Sequence, residues 1–309
     1  MEIRQTLWGI DLGGTKAEGV ILGSGNAEDI LFRERVSTGA EKGYAHIVSQ
    51  LEHLVQQMEQ KVGYRADRIG IGTPGTLDPD TDTMRGCNSE CLNGRRLRED
   101  LSQRLGMEVV LANDANCFAL AEARMGIVKR DFPHAQIVFG VIMGTGVGGG
   151  LVVNGVSVYG HHGIAGEWGH NFLDESGGAC YCGKSGCVER VLSGPSLERY
   201  YHGQTGTQRK LHEIRALALE GDPAAKETMD RLVNFFGKAI SVVINIVDPD
   251  VIVLGGGVSR IPEIYTAGKA AIANYIFNNG KVTTPVVPAL LGDSAGVFGA
   301  AYLVAGEGW

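Results

Sequence analysis

The sequence predicts an α/β protein built from two similar units, and three observations carry that expectation. Apolar runs of strand length alternate with patterns at helical spacing along the chain. The opening order of strand, glycine-rich turn and strand recurs from residue 137, as an internal duplication would produce. At 309 residues, with 44% hydrophobic and 20% charged side chains, the chain is long enough to bury sizeable cores.

The elements follow in order. Residues 7–12 and 18–22 are short apolar runs separated by Gly13, Gly14, Thr15 and Lys16. Tyr44, Ile47, Val48, Leu51, Leu54, Val55 and Met58 fall on one helical face, predicting a helix over about 41–61. Residues 69–72 and 109–111 read as buried strands with a helix near 97–105 between them, and 117–125 is helical in pattern. The run IVFGVIMGTGVGGGLVVNG is again strand, glycine turn, strand. A long helix over about 223–247, a buried strand at 251–254, a glycine turn at 255–257 and a small-residue helix opening in GDSAGVFGAA complete the pattern.

Charge excludes some classes. The 28 basic and 35 acidic side chains leave a net charge of −7, which is no electrostatic footprint for nucleic acid or an anionic membrane. The N-terminal segment lacks the apolar core of a signal peptide, and no apolar run reaches the ~20 residues that span a bilayer, so a cytoplasmic protein is expected. In a reducing compartment the six cysteines should be thiols or metal ligands. Cys87, Cys91 and Cys117 are scattered and read as small buried hydrophobes.

The 46 glycines come in tight clusters, where backbone turns sharply or approaches a ligand. Gly144, Gly146 and Gly149 satisfy G-x-G-x-x-G, but the apolar run 151–153 follows where a dinucleotide site needs a helix. The context is a β-hairpin, and a dehydrogenase is set aside; no Gly-Lys-Ser/Thr follows for a Walker A loop either. A glycine hairpin can aim its backbone N–H groups at phosphate oxygens. Alone, one such loop is most often only a tight turn. Two of them heading two similar units shift the balance: Asp11, Gly13, Gly14, Thr15 and Lys16 in the first, and Gly144, Thr145, Gly146, Val147, Gly148 and Gly149 in the second. Asp11 could hold hydrated Mg²⁺ and Lys16 could face phosphate, against the plainer roles of turn cap and surface lysine.

The densest signal is G-E-W-G-H followed by nine residues and C-Y-C-G-K-S-G-C-V-E. Thiolates and imidazole are the preferred ligands of zinc, and His170, Cys180, Cys182 and Cys187 make a set of four, as a closed structural site requires. Gly183 and Gly186 permit the turns, and three cysteines cannot pair off as disulfides. Further upstream, Asn113 and Asp114 stand where a strand gives way to a helical pattern. An aspartate there is commonly an N-cap. A helix N-terminus also favours the ionised carboxylate that can accept a hydroxyl proton.

DLGGTK, GTGVGGG and LGGG together resemble the phosphate and adenosine motifs of the hexokinase/actin-like ATPase superfamily. E-W-G-H with C-x-C-G-x-x-G-C-x-E resembles the signature of the ROK family of repressors, open reading frames and sugar kinases, and the likeness runs along essentially the whole chain. The resemblance implies two ribonuclease-H-like domains with an ATP and sugar cleft between them. It places the limits at 1–114 plus 296–309 for a small domain and 115–295 for a large one that carries a zinc segment at 166–189. Few residues precede the first strand, which favours the kinase branch over the repressors, with their added helix-turn-helix.

The resemblance assigns Asp114 as general base and maps Asn113, Asp114, Glu167, His170 and Glu189 onto the sugar site, with Asn88 joining them. Gly256 and Gly257 join the nucleotide loops. One nitrogen of His170 is expected on zinc and the other on a sugar hydroxyl, which fixes the tautomer. The implied cofactors are ATP, Mg²⁺ and structural Zn²⁺, and the implied reaction is phosphorylation of a hexose at C6 by a homodimeric enzyme. Asn88 to Gly94 with Trp168 look closest to bacterial fructokinases that also accept mannose, giving D-fructose to fructose 6-phosphate as the expected reaction, with mannose or glucose as further substrates. N-acetylglucosamine kinase or glucokinase is the alternative, and a catalytically silent sugar sensor is the alternative of another class.

Overall fold

The structure, a computed structural model, describes residues 6–23 and 27–305. In chain order it contains β1 (Leu7–Leu12), β2 (Lys16–Leu22), β3 (Ile30–Ser37), α1 (Tyr44–Val62), β4 (Arg68–Thr73), β5 (Thr76–Asp78) and β6 (Thr83–Arg85). There follow α2 (Leu97–Leu105), β7 (Glu108–Asn113), α3 (Asp114–Arg124), α4 (Ile127–Asp131), β8 (Ile137–Met143), β9 (Val147–Val153) and β10 (Val156–Ser157). The remainder comprises α5 (Val188–Leu192), α6 (Gly194–Thr205), α7 (Leu211–Glu220), α8 (Pro223–Val247), β11 (Val251–Gly255), α9 (Ala267–Ile272), β12 (Val286–Pro288) and α10 (Ala295–Tyr302).

Two five-stranded sheets share one topology. The first runs β3-β2-β1-β4-β7 and the second β10-β9-β8-β11-β12, so each has its strands in the order third, second, first, fourth, fifth. In the first sheet β1 pairs antiparallel to β2 and parallel to β4. In the second, β11 is parallel to both β8 and β12. Each opens on a tight turn: the Gly13 N–H donates to the Lys16 carbonyl and the Gly144 N–H to the Gly146 carbonyl, both at 2.9 Å. The duplication read from the two glycine turns is therefore a duplication of sheet order.

Expected helices begin and end where backbone chemistry dictates. The helix expected from 41 starts at Tyr44, because Gly43 at φ 90° lies outside helical space and separates it from a 3₁₀ turn at Ala40–Lys42. The helix expected from 117 starts at Asp114, with Asn113 as its cap: the Asn113 side chain accepts from the Asn116 N–H. The 25-residue α8 starts on an Asp222 cap and stops at Asp248, which is left-handed at φ 47°.

Contacts divide the chain into two compact units, Met1–Pro133 with Gly150–Ala165 and Leu290–Trp309, and His134–Gly149 with Gly166–Ala289. The first unit takes in the whole of α3, which packs on α10, whereas the expected limits broke the chain after Asp114. The core of this unit gathers Trp8, Ile10 and Leu12 of β1 with Leu51, Leu54 and Met58 of α1. On the other side of the sheet α10 lies so near that glycine is required at the contact. A Cβ on Gly70 of β4 would overlap the Ala300 carbonyl, and one on Gly299 of α10 would overlap the Cys117 carbonyl of α3.

Glu122 locks this arrangement. It is fully buried, and its carboxylate accepts from the Ile127 N–H at 3.0 Å, the Leu290 N–H at 3.0 Å and the Leu291 N–H at 2.8 Å. It thereby ties α3 to the segment that enters α10. Glu122→Ala would leave those amides unsatisfied, and we expect a loss of at least about 3 kcal/mol in urea unfolding, against near wild-type stability for surface Glu220→Ala.

Candidate functional site

The first unit carries Asp11, the Gly13–Lys16 turn, Asn88, Asn113 and Asp114 among the expected site residues. Asp11 lies near the end of β1, in register with Gly72 of β4. Asn113 ends β7 and Asp114 begins α3. Capping falls to Asn113, whose Oδ1 accepts from the Asn116 N–H at 2.7 Å, so the Asp114 carboxylate is not the cap. It stands exposed in the first turn and accepts from the Ala115 N–H at 2.7 Å, where the helix end favours its ionised form. Glycine at 296 leaves room for the Asp11 carboxylate: a Cβ there would lie 2.8 Å from its Oδ2.

Electrostatics couples these two acids. Burial, and next the charge of Asp114, push Asp11 from 3.8 up to about 6. A buried carboxylate whose proton affinity is raised in this way is a ligand suited to a hard divalent cation, whose charge would hold it ionised. The residues therefore fit Mg²⁺. The neighbouring Gly13–Lys16 turn exposes Gly14, Thr15 and Lys16 at its tip. Thr38, itself buried, steadies it by donating its hydroxyl to the Gly14 carbonyl at 2.8 Å and its N–H to the Thr15 carbonyl at 3.1 Å. Asn88 is exposed on a loop closed by Asn93, whose side chain accepts from the Cys87 N–H and donates to the Cys87 carbonyl.

The second unit gathers the rest. The Gly144–Gly149 hairpin has Thr145 exposed at its tip, and a Cβ on Gly144 would lie 3.9 Å from the Gly257 nitrogen, so Gly256 and Gly257 adjoin it. His170, Cys180, Cys182 and Cys187 converge with all ligand atoms within 4.8 Å of one another. Cys180 Sγ lies 3.6 Å from His170 Nδ1, and Cys182 Sγ 3.6 Å from Cys187 Sγ. A tetrahedral zinc with bonds near 2.3 Å to sulfur has ligand–ligand edges of about 3.8 Å, so the set fits that ion. Backbone bonds preform it: the Leu173 N–H donates to the Gly186 carbonyl at 2.7 Å, the Val188 N–H to the Asn171 carbonyl at 2.9 Å and the Cys180 N–H to the Lys184 carbonyl at 2.8 Å. Burial and the neighbouring thiols of Cys182 and Cys180 push the Cys187 thiol up to about 12, a crowding that a dication relieves.

Several details were invisible in the sequence. His170 turns Nδ1 to the cysteines, while Nε2 meets the Tyr181 hydroxyl at 3.0 Å. Tyr181 thus occupies the nitrogen expected to face a sugar. Glu189 sends Oε2 to the Val147 N–H of the glycine hairpin at 3.0 Å, while Glu167 is half-buried beside the hairpin-packed Trp168. Thr38 and Gly194, whose N–H donates to the Gly144 carbonyl at 2.9 Å, support the loops from distant positions that no local motif marks.

The chain is similar to known proteins over nearly its whole length. The ROK family model matches residues 7–307. N-acetyl-D-glucosamine kinase of Pectobacterium carotovorum subsp. carotovorum is 36% identical over 96% of this chain and 98% of its own. The ROK hexokinase of Thermus thermophilus superposes with a TM-score of 0.85 at 32% identity, covering 97% of this chain and 98% of that one. A ROK glucokinase from Streptomyces griseus, solved with glucose and AMPPNP, gives 0.76 at 27% identity over 97% and 99%.

Asp11 also sets a pH dependence. Because its pKa is raised to about 6 on folding, its contribution to stability is complete below about pH 4 and is lost as pH rises through about 6. Asp11→Asn removes that loss. Without divalent cations, urea unfolding should show the variant gaining up to about 3 kcal/mol on the wild type between about pH 4 and 7, a gain that Mg²⁺ diminishes.

Proposed function

Because the chain belongs to the ROK family, we propose that it is an ATP-dependent hexose kinase with Asp114 as general base. The observation that carries this most directly is the Asp11–Asp114 carboxylate pair beside the exposed Gly13–Lys16 turn: one acid suited to a cation, the other to a proton. Asp114 accepts the proton of the C6 hydroxyl as that oxygen bonds to the γ-phosphorus, and the β–γ bridging oxygen leaves with ADP. Backbone N–H groups of the two glycine hairpins and the Lys16 ammonium take up phosphate charge. Mg²⁺, when bound at Asp11, neutralises charge on the phosphate oxygens. Asn88, Asn113, Glu167, His170 and Glu189 supply polar groups for the sugar, with the Tyr181 hydroxyl giving up Nε2 of His170 to it.

We place N-acetyl-D-glucosamine ahead of fructose as the sugar. A relative 36% identical over nearly the whole chain carries that substrate in its name. The residue that favoured fructose, Trp168, is 5% exposed; its ring stands edge-on to Phe139 at 6.3 Å and its indole N–H points to the Gly148 carbonyl at 3.4 Å. A side chain packed in this way reports on the hairpin beneath it, not on the sugar. Fructose, with mannose or glucose, is the second reading, resting on the 88–94 segment.

Phosphorylation of a hexose panel should rank N-acetyl-D-glucosamine first; turnover of fructose alone would reverse the order, and turnover of none would leave a silent sensor. Asp114→Asn should lower kcat by about 10²-fold or more with nucleotide binding retained, and a loss under about tenfold would remove the base assignment. His170, Cys180, Cys182 and Cys187 would hold zinc in a structural role. Elemental analysis should then find about one equivalent of zinc per chain, and Cys187→Ser should release it with a lower melting temperature.

A further inference from the structure

The two arms that carry the metal ligands grip the Gly144–Gly149 hairpin from both sides. From the His170 arm, Trp168 donates toward the Gly148 carbonyl at 3.4 Å, and Gly169 lies so near the Val147 carbonyl that any Cβ there would overlap it. From the Cys187 arm, Glu189 Oε2 accepts from the Val147 N–H at 3.0 Å, and the Gly194 N–H donates to the Gly144 carbonyl at 2.9 Å. Glu189 stands two residues beyond Cys187, on the short α5. Its own backbone is fixed in turn: its carbonyl accepts from the Ser193 N–H at 3.1 Å and the Ser196 hydroxyl at 2.9 Å. A Cβ on Gly146 would come within 2.6 Å of Oε2, so the hairpin has glycine where the carboxylate lies against it.

From this geometry we infer that Glu189 is a positioning residue for nucleotide, holding the phosphate-facing hairpin in shape through Val147. The inference deepens the proposed function, since it rests on residues 144–149 being the nucleotide hairpin. A hairpin used for phosphate must present its N–H groups in a fixed array, because each group that has to be ordered on binding costs affinity. The Val147 N–H is removed from that array and used as an anchor. The carboxylate reaches it along a side chain whose root is two residues from a metal ligand. Loss of the anchor frees the hairpin even when no sugar is present. A group that served the sugar alone would have no such effect.

The test is nucleotide binding without sugar. Calorimetric titration of the full-length, metal-loaded protein with Mg²⁺ and AMPPNP should give a Kd raised about tenfold in Glu189→Ala and Glu189→Asp, the size of one lost hydrogen bond. Aspartate keeps the charge but falls one methylene short of Val147. Glu189→Gln, whose amide oxygen can still accept, should stay within about threefold. Wild-type Kd in both Glu189→Ala and Glu189→Asp overturns the inference. Amide hydrogen exchange at Val147 in ligand-free protein supplies a second readout. It should quicken in Glu189→Asp and stay slow in Glu189→Gln, and unchanged exchange in Glu189→Asp likewise overturns it. If the wild type fails to bind the analogue while Val147 exchange follows this order, the anchor stands and the nucleotide assignment of the hairpin falls.

Discussion

Asp11 stands in a largely buried corner of the first unit with the charge of Asp114 nearby, and neither its burial nor that charge favours its ionisation there. Much of that unit can be understood from the need to hold the two acids. Glycines at 70 and 299 let α10 press against β4 and α3, and Glu122 nails α3 to the chain that enters α10. Gly296 leaves the space the Asp11 carboxylate fills. Asn113 caps the helix so that Asp114 need not. An arrangement that costs stability at neutral pH while lying next to an exposed glycine turn has the character of a working site and not of a structural ion pair.

The second unit applies a comparable economy to its loops. The His170, Cys180, Cys182 and Cys187 side chains converge on a point held by backbone hydrogen bonds that link 171–174 to 186–188 and others within 178–186, so the chain itself supplies a cage that fits an ion. Both arms of that cage then reach the Gly144–Gly149 hairpin, through Trp168 and Gly169 on one side and Glu189 and Gly194 on the other. A metal bound in such a place would stabilise more than its own loop. It would tie together the two segments that reach the hairpin.

Substrate identity depends on smaller features. Trp168 looked like a family marker for the sugar, yet it is buried against Phe139 and the hairpin. Tyr181, between two metal ligands, is exposed and stands against Nε2 of His170. Of the two aromatic residues, the exposed one, Tyr181, is the variable position inside the C-x-C pattern.

The sequence by itself determined which groups could act and in what local setting. Periodicity and glycine turns located β1, β2, β8, β9, α8 and the repeat, because alternation and helical spacing are local properties. Ligand type and spacing assembled His170 and the three cysteines, because the chain between them is short. Only the tertiary structure decided which neighbour each group would meet. That Asn113 and not Asp114 would cap α3, that Thr38 would brace the first glycine turn, that Glu122 would bind amides at 290 and 291, and that Glu189 would turn to Val147 all depend on contacts between residues far apart in sequence or on a choice between adjacent candidates. Such contacts are chosen by packing and by the need to satisfy buried polar groups, and no local pattern records them.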